Sequence, residues 1–266
     1  MDLLLTDRVA VVTGGSRGIG RAVALALATE GVDVALVARD PDRLAATASE
    51  LAAATGRRVV PVPADTSDTE SVDAMAANVL GQLGPVDILV NAAARPSGQT
   101  APTPWEQLGR PEAMQEFDTK VLGYLRCAQA LAPGMVERGW GRIINISGLG
   151  ARTTGNVIGS MRNVAVAAMT KNLADDLGPR GVNVTVVHPG LTRTEATPGV
   201  IAARAASSGR PAAEIERAMG AVNTLGRMID AAEVAAVVAF LASPLSVAIN
   251  GDAIAAGGGM PGVITY

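Results

Sequence analysis

The sequence predicts an α/β protein built as one doubly wound parallel sheet with helices on both faces. Three observations point there. Strand-like apolar runs alternate with helix-like stretches along most of the chain. The runs are apolar at nearly every position, as strands covered on both faces require. The side chains are also small. Of 266 residues 48% are hydrophobic, yet only 2% are aromatic, so Ala, Val, Leu and Ile must form a core in which helices lie close to a sheet.

Taken in order, strands are expected over 9–12, 34–38, 59–62, 88–90, 143–146, 182–187 and 253–256, each bounded by turn residues. Helices are expected over 18–30, 41–54, 69–83, 112–138, 159–177 and 231–242. Each alternation asks for a right-handed crossover. Two segments break the rhythm. Residues 95–110, rich in Pro, Gly and Thr, read as a loop. Residues 191–223 read as an insertion with Ala-rich helical pieces, where such folds often carry a lid over a substrate. No repeat or linker interrupts the chain, so 1–266 reads as a single domain with that lid-like insertion.

Composition narrows the function. A net charge of -3 argues against nucleic acid, which needs a basic surface. One cysteine, Cys127, excludes an intrachain disulfide and suits a reducing compartment. No apolar run reaches membrane-spanning length, and the first residues lack a basic segment followed by a long apolar one. A cytoplasmic protein with a small-molecule substrate is expected, with no nucleic acid or membrane partner and no metal.

The strand at 9–12 runs into Thr13-Gly14-Gly15-Ser16-Arg17-Gly18-Ile19-Gly20 and then a helix. Glycines let a backbone turn tightly and approach a pyrophosphate, and the helix N-terminus offers unpaired N–H groups. An ordinary strand–helix turn can carry the same glycines. The position at the first such junction favours dinucleotide binding.

These residues resemble the cofactor fingerprint of the short-chain dehydrogenase/reductase family, which has a Rossmann fold. Further segments are similar at matching distances. Asp65, followed by Thr66, stands where the family contacts adenine. Asn91-Ala92-Ala93-Ala94 stands where the family usually has Asn-Asn-Ala-Gly. Pro189-Gly190-Leu191-Thr192-Arg193-Thr194 resembles the segment that holds the nicotinamide carboxamide, and Gly226-Arg227, Glu233-Val234-Ala235 and the glycines at 257–259 resemble the C-terminal signature. The resemblance covers essentially the whole chain. It implies an oxidoreductase, a bound nicotinamide dinucleotide and a homo-oligomer, tetramer or dimer. The second strand ends in Ala38-Arg39, without the carboxylate expected for a ribose 2′-hydroxyl. Arg39 and Arg17 can instead clamp a 2′-phosphate. NADP(H) is therefore preferred, with NAD(H) the alternative and two solvated arginines the bland reading.

At the catalytic end the pattern departs from the family, which uses Asn, Ser, Tyr and Lys. Matching of the flanks puts Lys120 at the Asn position, Gly148 at Ser with Ser147 one residue earlier, Gly159 at Tyr and Asn163 at Lys. The tyrosines, Tyr124 and Tyr266, and the other lysine, Lys171, lie elsewhere. A positioned general acid contributes about 10²–10⁴-fold, so weak activity on simple ketones is expected unless another group serves. Lys120 and Asn163 look exchanged, and Lys120, Ser147 and Asn163 are the catalytic candidates. Asn163 would also reach the nicotinamide ribose. Lys120 and Tyr124, four residues apart, share a helix face. His188 and Cys127 read as packing residues, Lys171 as a surface residue, and Arg152 and Arg162 as solvated unless one meets a substrate carboxylate. Two rivals stand beside a redox enzyme: a lyase or isomerase keeping the dinucleotide as scaffold, and a catalytically silent binding protein.

Overall fold

The computed structural model describes residues 1–94, 103–262 and 264. The chain runs β1 (Val9–Thr13), α1 (Gly18–Thr29), β2 (Asp33–Ala38), α2 (Pro41–Thr55), β3 (Val59–Pro63), α3 (Thr69–Leu83) and β4 (Ile88–Asn91). Then come α4 (Arg110–Phe117), a π turn over Asp118–Leu122, α5 (Gly123–Glu137), β5 (Gly141–Ile146), α6 (Val157–Leu177) and β6 (Val182–Pro189). Last are β7 (Thr192–Arg193), α7 (Thr197–Ser208), α8 (Ala212–Gly220), β8 (Ile229–Asp230), α9 (Ala231–Ala242) and β9 (Ala253–Ala256). Every expected strand and helix is present within a few residues of its expected ends. Of the loop expected at 95–110, residues 95–102 lie outside those described. Trp105–Gln107 forms a 3₁₀ turn, and α4 already begins at Arg110.

Seven parallel strands make one sheet in the order β3-β2-β1-β4-β5-β6-β9. The order reverses between β1 and β4, whose last residues Thr13 and Asn91 are in register. Ligands of open α/β sheets bind beyond the carboxyl ends of the strands at such a switch point. The all-apolar strands are explained by a core on each face. Ala10 and Val12 face α1 and α9 with Val23, Leu27, Val234 and Val238. Val9 and Val11 face the other way, into a core with Val79 of α3 and Leu131 and Met135 of α5. Cys127 lies in that second core, and burial pushes its thiol up to about 12.

The expected helix 112–138 is α4 and α5 joined through the π turn, where the Gly123 N–H donates to the Asp118 carbonyl five residues back. A widened turn of this kind rotates the side chains that follow it, and such turns are frequent at functional sites. Residues 191–223 carry α7 and α8 over the carboxyl ends of the strands, with a small core of Ile201, Ile215 and Met219 that Met228 completes from just beyond the segment. The two-residue strands β7 and β8 pair with each other and pin the root of this segment. Among the described residues no helix is long and apolar enough to cross a membrane.

Candidate active site

A cleft of about 600 Å³ crosses the carboxyl ends of β1, β2, β4, β5 and β6. One end is the turn between β1 and α1. Gly14 has φ +67°, and a Cβ there would meet the Ala92 carbonyl oxygen at 2.7 Å. A Cβ on Gly20 would meet the Gly14 carbonyl oxygen at 2.3 Å. The turn therefore closes this tightly only with glycine at both positions. Thr13 fixes it to β4, its hydroxyl accepting from the N–H groups of Ala92 and Ala93 at 3.0 and 3.1 Å.

The opening residue of α1, Gly18, donates its N–H to the Glu195 carboxylate at 2.8 Å. A carboxylate from the covering segment thus sits where the helix N-terminus attracts an anion. Arg17, Arg39 and Arg43 line the cleft near the end of β2. Asp40, also on this wall, caps α2 by accepting the Arg43 N–H at 3.1 Å. Asp65 accepts from the backbone and hydroxyl of Ser67 at 3.0 and 2.7 Å. Burial alone would raise its pKa, but the Ser67 bonds, Arg39 and Arg126 hold it below the ordinary value. A glycine cradle, an anion already at the helix N-terminus and three guanidiniums beyond it fit a phosphorylated dinucleotide.

Of the residues the sequence singled out, Gly14, Ser16, Arg17, Gly18, Ile19, Gly20, Arg39, Asp65, Thr66, Ala92, Pro189, Gly190, Thr192 and Thr194 line this cleft, as do Lys120 and Ser147. Asn91 and Asn163 do not. Asn91 is fully buried behind the wall, its amide donating to Asn145 Oδ1 at 2.9 Å and to the Tyr124 carbonyl at 3.4 Å, and Asn163 is buried behind Lys120.

At the inner end Lys120 projects from the π turn and is only 4% exposed. Its Nζ donates to Asn163 Oδ1 of α6 at 2.9 Å and to the Ser147 carbonyl at 3.0 Å. Burial without a carboxylate partner pushes the ammonium down to about 7. The neighbouring glycines follow from the same contact. A Cβ at Gly148 would lie 3.2 Å from Asn163 Nδ2, and one at Gly150 would lie 3.0 Å from it. The Asn163 amide thus occupies the room that side chains there would need. Ser147 turns its hydroxyl to the Asn163 carbonyl at 3.1 Å.

Gly159, matched to the family tyrosine, does not line the cleft. A Cβ there would meet Asn156 Oδ1 at 2.8 Å, because Asn156 caps α6 through the Gly159 N–H at 2.7 Å. His188 accepts from the Gly148 N–H at 3.3 Å. Burial, with Arg152 and Lys120 nearby, lowers it to about 4, so it is neutral at physiological pH. Tyr124 is fully buried and donates to the Ile146 carbonyl at 2.9 Å; burial raises its pKa and keeps it un-ionised. Lys171 is exposed and pairs with Asp175 at 2.5 Å.

The structure corrects the reading of both arginines expected in solvent. Arg152 is half-buried and donates to the Ala253 carbonyl at 3.1 Å. Arg162 is 3% exposed, lines the cleft and pairs with Glu116 of α4. Glu116, Arg43 and Glu195 also belong to the site, though no sequence motif marks them. Glu116 stands four residues before Lys120, a helical spacing that was available as a signal. Glu195 carried none, since its role depends on how the 191–223 segment folds back.

The comparisons agree with this geometry. The family pattern described as Enoyl-(Acyl carrier protein) reductase matches residues 14–261. The short-chain reductase protein NovJ of Streptomyces niveus is 33% identical over 256 residues, covering 96% of this chain and 94% of that protein. The 3-oxoacyl-acyl-carrier-protein reductase FabG of Aquifex aeolicus is 31% identical over 262 residues, 98% of this chain and all of that one. Among solved structures, L-sorbose reductase from Gluconobacter frateurii, complexed with NADPH and L-sorbose, superposes with a TM-score of 0.93 at 29% identity, covering 99% and 100% of the two chains. With the fold, the glycine cradle and these relatives in agreement, the chain belongs to the short-chain dehydrogenase/reductase family of oxidoreductases.

Proposed function

We propose that this protein is an NADP(H)-dependent reductase of a small carbonyl compound, with Lys120 as the proton donor. The observation that carries the proposal is the buried Lys120–Asn163 pair at the inner end of a cleft that begins at the glycine cradle. Gly14, Gly18 and Gly20, with Ser16 and Ile19, would take the pyrophosphate, and Arg17, Arg39 and Arg43 the 2′-phosphate. Asp65, Thr66 and Ala92 would border the adenosine, and Pro189, Gly190, Thr192 and Thr194 the carboxamide. Asn91 supports the Ala92 wall from behind.

NADPH, when bound, supplies the hydride to the carbonyl carbon. The chain's own contribution is the proton. Two of the three Lys120 N–H groups are held by Asn163 and Ser147, leaving one for the substrate oxygen. That oxygen takes the proton as the carbonyl becomes an alcohol, and the neutral amine is reprotonated from water. An amine pushed down to about 7 has the acidity a general acid needs near neutral pH. Ser147 and Asn163 position it.

The 191–223 segment would act as a lid, since Leu191, Thr197, Val200 and Met219 complete the cleft wall. Exposed Leu122, Val157, Met161 and Val164 lie on the π turn and α6, an apolar face suited to a second copy in a homodimer or tetramer. A cytoplasmic location fits the composition. Titration calorimetry tests the cofactor assignment. NADPH should bind at least tenfold tighter than NADH, and equal or tighter NADH binding would overturn it. Deuterium carried from labelled NADPH into product separates a redox enzyme from a lyase or a silent binder.

A further inference from the structure

We propose that the substrate is a short oxo acid and that Arg162 selects it by holding its carboxylate beside the reacting carbonyl. The proposal rests on the reading of the cleft as a carbonyl-reducing site and names the class of molecule that site takes.

Arg162 is among the most buried charged side chains of the protein, yet it lines the cleft. Glu116 engages its guanidinium. The Nε is buried and has no hydrogen-bond partner among the described residues. Leaving a buried charged donor unpaired is costly. A purely structural pair would satisfy that donor from the protein, whereas an arginine that lines a cleft can turn it to a ligand. Guanidinium donors in a fixed fork match a carboxylate, and opposite edges of one guanidinium can serve two carboxylates.

Charge balance points the same way. Three acidic residues line the nucleotide end: Asp40 caps α2, Asp65 is bonded to Ser67, and Glu195 meets Gly18. At the inner end the cleft carries Lys120 and Arg162, with Glu116 as the carboxylate paired there. With Lys120 protonated that leaves one positive charge, which a monoanionic substrate balances. Such a substrate would also favour the charged, proton-donating form of Lys120.

The spacing sets the size. Glu116 and Lys120 stand four residues apart across the end of α4 and the π turn. They reach adjacent residues of α6, Arg162 and Asn163. The anchoring edge and the proton donor therefore come from neighbouring positions, so carboxylate and carbonyl must be close in the substrate. Ile146, Leu191, Val200 and Met219 offer an apolar wall for the rest of the carbon chain.

The test uses the full-length protein and three probe pairs: pyruvate, acetoacetate and phenylpyruvate, each against its methyl ester. Binding to the NADPH complex is measured by calorimetry, and turnover by NADPH oxidation. At least one acid should bind about 10²-fold tighter than its ester, with the preference appearing in KM. In Arg162→Leu the acid-to-ester ratio should fall to near one, and Arg162→Lys should restore part of it. Because Arg162→Leu strands Glu116 and can unfold the protein, the double variant Arg162→Leu/Glu116→Leu, which removes both partners of the pair, is measured beside it. Equal binding of acids and esters by the unaltered protein, or a preference that survives in the double variant, would overturn the proposal. The underlying reading fails separately. An Arg162-dependent preference in binding without any NADPH oxidation would uphold the carboxylate site and refute reduction. Turnover without preference would do the reverse, and a protein showing neither refutes both.

Discussion

At the scale of single residues, the site turns on an amine in the wrong company for an amine. Lys120 is buried with two neutral acceptors and no carboxylate, so its charge is poorly compensated and its pKa falls. Lys120 and Asn163 could be singled out together in the sequence, because both positions were counted from flanking motifs. The contact itself was not legible, since it depends on where the π turn directs the side chain. Arg162 was misread for a similar reason. Nothing in its neighbours predicts that Glu116 draws it inward. The lowered lysine has a consequence for stability. The unfolded chain holds the Lys120 proton up to an ordinary lysine pKa, whereas the folded protein releases it near 7. Between those values the unfolded state binds more protons, so this group makes stability rise with pH, and below about 7 the contribution is flat. Urea unfolding at pH 6, 7.5 and 9 should show the protein gaining stability with pH relative to Lys120→Met. Parallel pH dependences for the two proteins would contradict the buried, poorly compensated amine.

At the scale of elements, the strands were legible because both faces of the sheet are covered, which forces continuous apolar runs of a few residues between turn signals. The helices were legible from the stretches that alternate with those strands. What escaped were features that exist only through tertiary contacts. The strands β7 and β8 have two residues each and no signal of their own. The start of α6 moves two residues earlier than expected because Asn156 supplies the cap. The covering segment also holds Glu195 against the first N–H of α1, where a pyrophosphate would otherwise sit. A carboxylate at an exposed helix N-terminus is worth about 0.3–1 kcal/mol, and a bound dinucleotide must displace it. Glu195→Gln should therefore tighten NADPH about 2–5-fold by calorimetry. Unchanged or weaker binding would mean that the carboxylate does not compete for the cradle.

At the scale of the whole molecule, the doubly wound sheet puts the chemistry where its strand order reverses, and every proposed site residue stands at or beyond the carboxyl end of a strand or on a helix facing it. The apolar face formed by Leu122, Val157, Met161 and Val164 predicts self-association. Light scattering at micromolar concentration should give the mass of a dimer or tetramer, and Met161→Glu/Val164→Glu should shift it toward monomer. A monomer mass for the unaltered protein would contradict this.

The role of Lys120 as proton donor is tested by NADPH oxidation with the best carbonyl substrate of the panel by Lys120→Met, measured near neutral pH beside the unaltered protein. Lys171→Met, a change at an exposed ion pair, serves as the control. Lys120→Met should lower kcat by about 10²–10⁴-fold while NADPH still binds, and Lys171→Met should match the unaltered protein. A Lys120→Met protein that turns over at the unaltered rate would contradict the assignment of Lys120 as the proton donor.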